Sequence, residues 1–291
     1  MDAVYCPHMN FSSTLLILPP NDAEAMLIKK LAEVISLPML LSTQKHGASL
    51  DEEKDLVSLV KKTKCKRVVI VEMPGEKTEA KLRKLGVELI IIDHHNYTGL
   101  DRARNSKTGR LLPSSLEQFL KLFKLTDAKL NALKFDPRLV LGIGIMDKGY
   151  IWALQDAKYT KKQIEKVVAF RDELVKPLQN PKTEAKKDRA VAAAWAKRVE
   201  WNGYFIVETR ADVQLRPRLS RVVAMKFGKP TSLIIIEHKR KLIYVQESKY
   251  AMKLFKAFGG FTFGMDHNWG YRNEPGKKRV GLKEVKEVLY A

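Results

Sequence analysis

Four places along the chain set an acid or an imidazole at the end of a short apolar run. Asp22 follows LLIL after the turn at Pro19 and Pro20, and Glu72 directly follows RVVIV. Asp93-His94-His95 follows LIII, and Asp147 follows LGIGI by one residue. Carboxylate oxygens mixed with imidazole nitrogen form a donor set that suits a divalent cation such as Mn²⁺. A cation held in this way acts as a Lewis acid and lowers the pKa of a bound water. A strand-end acid can instead cap the following helix. That alternative fits Asp22 taken alone. It does not explain two histidines directly behind Asp93, nor an Asp147 lying between an apolar run and Lys148-Gly149.

The elements that must position these groups are legible as alternating short apolar runs and amphipathic stretches. Leu15–Leu18, Pro38–Leu41, Arg67–Val71, Val87–Ile92 and Leu139–Ile145 read as strands; 22–34, 51–62, 76–85 and 116–123 read as helices. Continuous rather than alternating apolar strands imply a sheet covered on both faces, as a parallel sheet with crossover helices requires. In open α/β sheets, ligands collect beyond the carboxyl ends of the strands, and the four sites above fall there. The expected fold is α/β, a mostly parallel sheet flanked by helices, followed by a smaller α+β C-terminal domain. The boundaries are 1–170 for the first domain, 171–200 for a charged helical connection and 201–291 for the second.

Composition limits the partners. The 53 basic residues face 33 acidic ones, giving a net charge of +20. Ion-pair networks on a thermophile's surface need no such excess, so the surplus points to a polyanion, with nucleic acid the commonest inside a cell. Cys6 and Cys65 supply neither a disulfide framework nor finger-type metal spacing, which fits a reducing compartment. The N-terminus has no basic n-region or small-residue cleavage site, and the longest apolar runs are too short to span a bilayer. A soluble, cytoplasmic protein without membrane attachment is expected. The Lys/Glu-rich, Cys-poor composition is compatible with a thermophilic, archaeal source.

The segment VELIIIDHH resembles the third motif of the DHH phosphoesterases, a family of RecJ-like exonucleases, nano-RNases, pyrophosphatases and cyclic-dinucleotide phosphodiesterases. LGIGIMDKGY is similar to that family's fourth motif. RVVIVEMPG stands where the second lies, with Glu72 in place of an Asp. FGGFTFGMDHNWGY stands where the DHH-associated domain carries its substrate loop, here reduced to Gly259-Gly260 with His267 as the nearest histidine. The first motif is degenerate: LPPNDAEA has no histidine, and Asp22 is taken from it as the ligand. The resemblance implies catalytic roles for Asp93, His94, His95 and Asp147, and metal ligation by Asp22, Glu72, His94 and Asp147. It implies Mn²⁺ or Mg²⁺ at one site rather than two. Arg102, Arg104, Gly259, Gly260, His267 and Arg272 are the substrate-binding candidates, with Arg110 in the same basic loop as the first two.

The implied activity is that of a hydrolase of phosphodiester bonds, an exonuclease or oligonucleotide phosphodiesterase acting on single-stranded DNA, RNA or short oligonucleotides. The alternative is a catalytically impaired DHH-fold protein that binds nucleic acid or scaffolds a repair or replication complex, with a protein of that complex as partner. A small-phosphate hydrolase fits poorly, since it needs no charge of +20. Phe261, Phe263, Trp269 and Tyr271 alternate with smaller residues, which suits either base stacking or a strand's core face. Two motifs are set aside. Gly142-Ile143-Gly144 lacks the rest of a dinucleotide fingerprint, and Gly276-Lys277-Lys278 lacks that of a phosphate-binding loop.

Overall fold

The computed structural model describes residues 13–45, 47–95, 108 and 112–290. The chain divides into two compact units, the first formed by Met1–His94, Leu112–Asp147 and Lys162–Leu178, the second by His95–Leu111, Lys148–Lys161 and Gln179–Ala291.

The first unit is built on β1 (Thr14–Leu18), α1 (Ala23–Val34), β2 (Met39–Leu41), α2 (Leu56–Thr63), β3 (Arg67–Val71), α3 (Glu76–Lys84) and β4 (Glu88–Ile92). The four strands form one parallel sheet in the order β2-β1-β3-β4. Every residue of β1 is buried, and four of the five in β3 are. Leu15, Ile17, Val68 and Ile70 pack with Leu50, Val60 and Leu82 on one face. Leu16, Leu18 and Val69 are equally buried between them, so the uninterrupted apolar runs reflect cover on both faces. The stretch 51–62 is not one helix. A short 3-10 turn at Leu50–Glu52 precedes α2, with Asp55 in the left-handed region at φ 56°.

Four helices follow: α4 (Ser115–Leu122), α5 (Asp127–Ala132), α6 (Pro137–Asp156) and α7 (Lys161–Val175). The segment LVLGIGI, expected as a strand, is the first half of α6. Apolar runs of this length do not by themselves distinguish a buried strand from a buried helix. The start signal lies just upstream, where the Asp136 carboxylate accepts the Arg138 N–H at 2.8 Å and Pro137 fills the first helical position. The helix geometry is interrupted at Gly149 and Tyr150, the latter at φ 59°, ψ −147°. Asp147 therefore sits in a helix rather than at a strand end.

The second unit contains α8 (Pro181–Ala196), β5 (Val199–Trp201), β6 (Tyr204–Thr209), α9 (Arg216–Phe227), β7 (Leu233–Glu237), β8 (Leu242–Gln246), α10 (Ala251–Phe258), β9 (Phe261–Phe263), β10 (Asn268–Arg272) and α11 (Leu282–Tyr290). Its six-stranded sheet runs β5-β6-β7-β8-β10-β9, antiparallel except for the parallel β6–β7 pair. α10 and α11 pack on one face through Leu254, Val285 and Leu289. α8 and α9 cover the other through Val191, Leu219 and Val223. No helix among the described residues is long and apolar enough to cross a membrane.

Candidate metal centre

His94, 2% exposed, is the hub of a cluster in the first unit. Its Nε2 lies 3.2 Å from Asp147 Oδ2, and its Nδ1 lies 3.2 Å from Glu72 Oε1 and 3.9 Å from Glu24 Oε2. Each residue arrives on its own element. His94 follows β4, Glu72 follows β3, Glu24 lies in the first turn of α1, and Asp147 lies in α6. Glu72 sits in the left-handed region, at φ 50°. Its N–H still extends the ladder by donating to the Ile92 carbonyl at 3.0 Å. A non-glycine residue in that region marks a locally constrained backbone, common at functional sites.

The start of α4 closes the cluster. The Ser115 hydroxyl donates to Glu72 Oε1 at 2.6 Å and lies 3.2 Å from His94 Nδ1. The Leu116 N–H donates to Glu24 Oε1 at 2.9 Å, so a helix N-terminus faces a buried carboxylate. α6 reaches this level only because residue 144 is glycine. A Cβ there would lie 2.2 Å from Ser114 Oγ and 3.3 Å from Glu24 Oε1.

The electrostatics are those of a carboxylate nest around one imidazole. Burial, with the charges of Asp147 and Glu72, pushes the Glu24 carboxyl well above the ordinary carboxylate range. For His94 burial disfavours the cation, but hydrogen bonds to Asp147 and Glu72 and the charges of Asp147 and Glu24 outweigh it, and its pKa is pushed up to about 12. Without another cation, the imidazolium is what offsets the charges of Asp147 and Glu72.

The residues fit a divalent metal. Glu72, His94, His95 and Asp147 each offer a ligand atom, all within 4.8 Å of one another. Glu24 Oε2 is buried with no hydrogen-bond partner among the described residues. A buried carboxylate oxygen left this way is costly unless a cation meets it. Hard oxygens with one or two imidazole nitrogens are a donor set for Mn²⁺ or Mg²⁺ rather than for a thiophilic metal.

The structure brings together Glu72, His94, His95 and Asp147 of the residues expected from sequence. Asp22 stands at the N-cap of α1, where its Oδ1 accepts the Ala25 N–H at 2.8 Å. The backbone carbonyl of Asp93 accepts from the Gln118 side chain at 2.9 Å. Glu24 and Ser115 were missed. Glu24 lies two residues beyond Asp22 in the same segment, where an acid in a helix's first turn already has a dipole explanation. Ser115 carries no signal beyond a helix start. Arg102, Arg104 and Arg110 lie outside the described residues.

In the second unit, His267 is exposed in the β9–β10 turn, and its carbonyl accepts the Ser248 N–H at 2.9 Å. Arg272 is at the opposite end of β10, paired in register with Leu242, so it is not grouped with His267. Gly260, at φ +89°, has a packing reason to be glycine: a Cβ would stand 2.3 Å from the Gly270 carbonyl oxygen. Trp269 and Tyr271 belong to the core, while Phe261 and Phe263 remain partly exposed. The Arg216 guanidinium stacks over Phe263, 4.5 Å from the ring centre.

No family model matches the chain, and no curated protein matches it in sequence. Among solved structures it is similar to a DHH-domain protein described as a member of a family of ribosomal proteins, with 12% identity, 96% of this chain and 86% of that one covered, and a TM-score of 0.48. It is similar to a pGpG-specific phosphodiesterase, PggH from Vibrio cholerae, with 10% identity, coverage of 95% and 96%, and a TM-score of 0.42. It is also similar to an exonuclease RecJ bound to manganese, with 12% identity, coverage of 90% and 86%, and a TM-score of 0.37. These are distant likenesses of fold, and the chemistry is read from the side chains.

Proposed function

We propose that the chain is a divalent-metal-dependent phosphodiesterase acting on single-stranded nucleic acid or short oligonucleotides. One observation carries the reading: three carboxylates, Glu24, Glu72 and Asp147, surround a buried His94, and one buried Glu24 oxygen has no hydrogen-bond partner among the described residues. The motif resemblance around Asp93-His94-His95 supplies the substrate class, and the net charge of +20 supports a polyanion over a small phosphate.

Glu24, Glu72, His94 and Asp147 would hold a single Mn²⁺ or Mg²⁺, with His95 beside them. When bound, the metal supplies Lewis acidity toward a phosphate oxygen and a water of lowered pKa. Ser115 fixes the Glu72 carboxylate through its donated hydrogen bond, and the Leu116 N–H fixes that of Glu24. Ligand orientation is thereby set before substrate arrives. His95, exposed next to the cluster, would meet a phosphate or pass a proton.

The test is Mn²⁺ binding by calorimetry on the full chain, together with hydrolysis of labelled dinucleotides and single-stranded DNA and RNA. Stoichiometric binding of one metal with metal-dependent release of mononucleotides is expected. Binding of no metal together with no hydrolysis overturns it. The second reading, a non-catalytic nucleic-acid binder or scaffold, is favoured by the absence of a histidine from LPPNDAEA. It predicts nucleic-acid affinity without turnover.

A further inference from the structure

The charge is not shared evenly. Among the described residues the second unit holds 27 basic and 12 acidic residues, and the first 22 and 19. The surplus that implies a polyanion thus belongs almost entirely to the unit without the metal-ligand carboxylates.

Within that unit, two separate basic segments meet at one cleft. The β7–β8 turn is His238-Lys239-Arg240-Lys241, and the loop from β10 to α11 contains Lys277-Lys278-Arg279. The Asn273 N–H donates to the Lys241 carbonyl at 2.8 Å, and Asn273 is stitched to Val280 by two side-chain hydrogen bonds of 2.8 and 2.9 Å. The turn and loop are thereby held side by side around a cleft of about 690 Å³, lined by His238, Lys241, Lys277 and Arg279 over a floor that includes Leu242 and Val280. The Gly276-Lys277-Lys278 run, which is no phosphate-binding loop by pattern, finds a place here.

Three carboxylates also line the cleft, and each is already engaged. Glu208 lies 2.8 Å from His238 Nε2. Glu237 accepts the Leu215 N–H at 2.6 Å and faces Arg240 at 3.1 Å. Glu274 pairs with Lys277 at 2.7 Å. Among the described residues, Lys241 and Arg279 are the lining cations without a carboxylate partner, and with Lys239 and Lys278 beside them in sequence they outnumber Glu208, whose partner is a histidine rather than a Lys or Arg. In the sheet, this is the end of β10 opposite the His267 turn. A charged rim over an apolar floor suits a strand whose phosphates meet the cations and whose bases lie on the floor.

We infer that this cleft is a binding track for the backbone of single-stranded nucleic acid, separate from the Gly259-Gly260 and His267 region. It deepens the strand-binding part of the function proposed above and does not depend on hydrolysis. The test is fluorescence anisotropy of the full chain with a labelled single strand of about 20 nucleotides, longer than the ~4–16 nucleotides such sites cover. EDTA is present throughout, so the result is independent of catalysis. The Lys241→Ala/Arg279→Ala double variant is expected to bind at least about tenfold more weakly, with a log–log salt slope shallower by about 1.4, at roughly 0.7 per lost phosphate contact. Its Mn²⁺-dependent cleavage of a dinucleotide stays at the wild-type rate. Less than about a threefold loss with an unchanged slope overturns the inference. Should the variant misfold, photo-crosslinking of the same strand to the wild-type chain decides. Adducts within 238–241 and 277–279 support the track, and adducts confined elsewhere overturn it.

Discussion

The Glu24 carboxylate and the His94 imidazole face each other at 3.9 Å, both buried, with the Glu24 oxygen nearest the ring left without a hydrogen bond among the described residues. Burial and the charges of Asp147 and Glu72 make ionisation of Glu24 costly in the metal-free protein, and a cation brought beside it removes that cost. Glu24→Gln keeps the shape and removes the charge. The variant is expected to unfold at a higher temperature than wild type in EDTA and to bind Mn²⁺ at least about tenfold more weakly. Differential scanning calorimetry with and without Mn²⁺ measures both. A metal-free variant no more stable than wild type, with unchanged metal affinity, would show that Glu24 is outside the site.

Ser115 touches two members of the cluster at once. Its loss in Ser115→Ala frees Glu72 to rotate and leaves His94 Nδ1 with one polar neighbour fewer. The expected result is a loss of about 10–100-fold in Mn²⁺ affinity with little change in metal-free stability. Titration followed by electron paramagnetic resonance reads it directly.

Gly144→Ala tests how closely α6 must approach α4. The new Cβ would meet Ser114 Oγ at 2.2 Å. Ser114 cannot turn aside freely, because its side chain and that of Glu117 form the reciprocal cap of α4. A destabilisation of about 1–3 kcal/mol is expected, visible as a lower urea midpoint at constant slope. Stability equal to wild type would mean that α6 can shift at no cost.

Glu247 gives the second unit a pH dependence. Burial raises its carboxyl; a hydrogen bond from the Trp152 side chain opposes this, and the Asp156 charge adds to it, giving a pKa of about 7. Below the ordinary value of 4.5 the group is neutral folded and unfolded, and costs nothing. As pH rises from there towards 7, the unfolded chain releases the proton more readily, so stability falls and the loss is complete above 7. Glu247→Gln is expected to raise stability by up to about 3 kcal/mol near pH 8 and by little near pH 4.5. Thermal unfolding at the two pH values checks it; equal gains at both would exclude this cause.

How far the sequence could be read follows from what each residue has to do. β1 and β3 are buried by cover on both sides, and that demand writes itself as LLIL and RVVIV; β4, at the sheet edge, is only partly buried although it reads LIII. LVLGIGI satisfies the same demand as a helix, and only Asp136-Pro137 tells the two apart. Glu72, His94, His95 and Asp147 were legible because each closes an apolar run. Glu24 was not, because a first-turn acid looks the same whether it serves a dipole or a metal. Ser115 acts through hydrogen bonds that only the tertiary fold creates. The two basic segments lining the second unit's cleft are far apart in sequence, and their meeting depends on the antiparallel register of β8 and β10.

The cluster around His94 draws Glu24, Glu72, His94, Ser115 and Asp147 from different elements, so consecutive members are separated by loops, strands or helices rather than by one turn. Finger-type sites close locally and can organise a short peptide around an ion. Here no fragment of the chain contains the pieces in reach of one another until the parallel sheet and its crossovers have formed, and such long-range pairing is slow. An ion can therefore act only as a late-arriving ligand. It should leave the folding rate unchanged and slow unfolding, so metal would act on the lifetime of the finished protein rather than on its assembly.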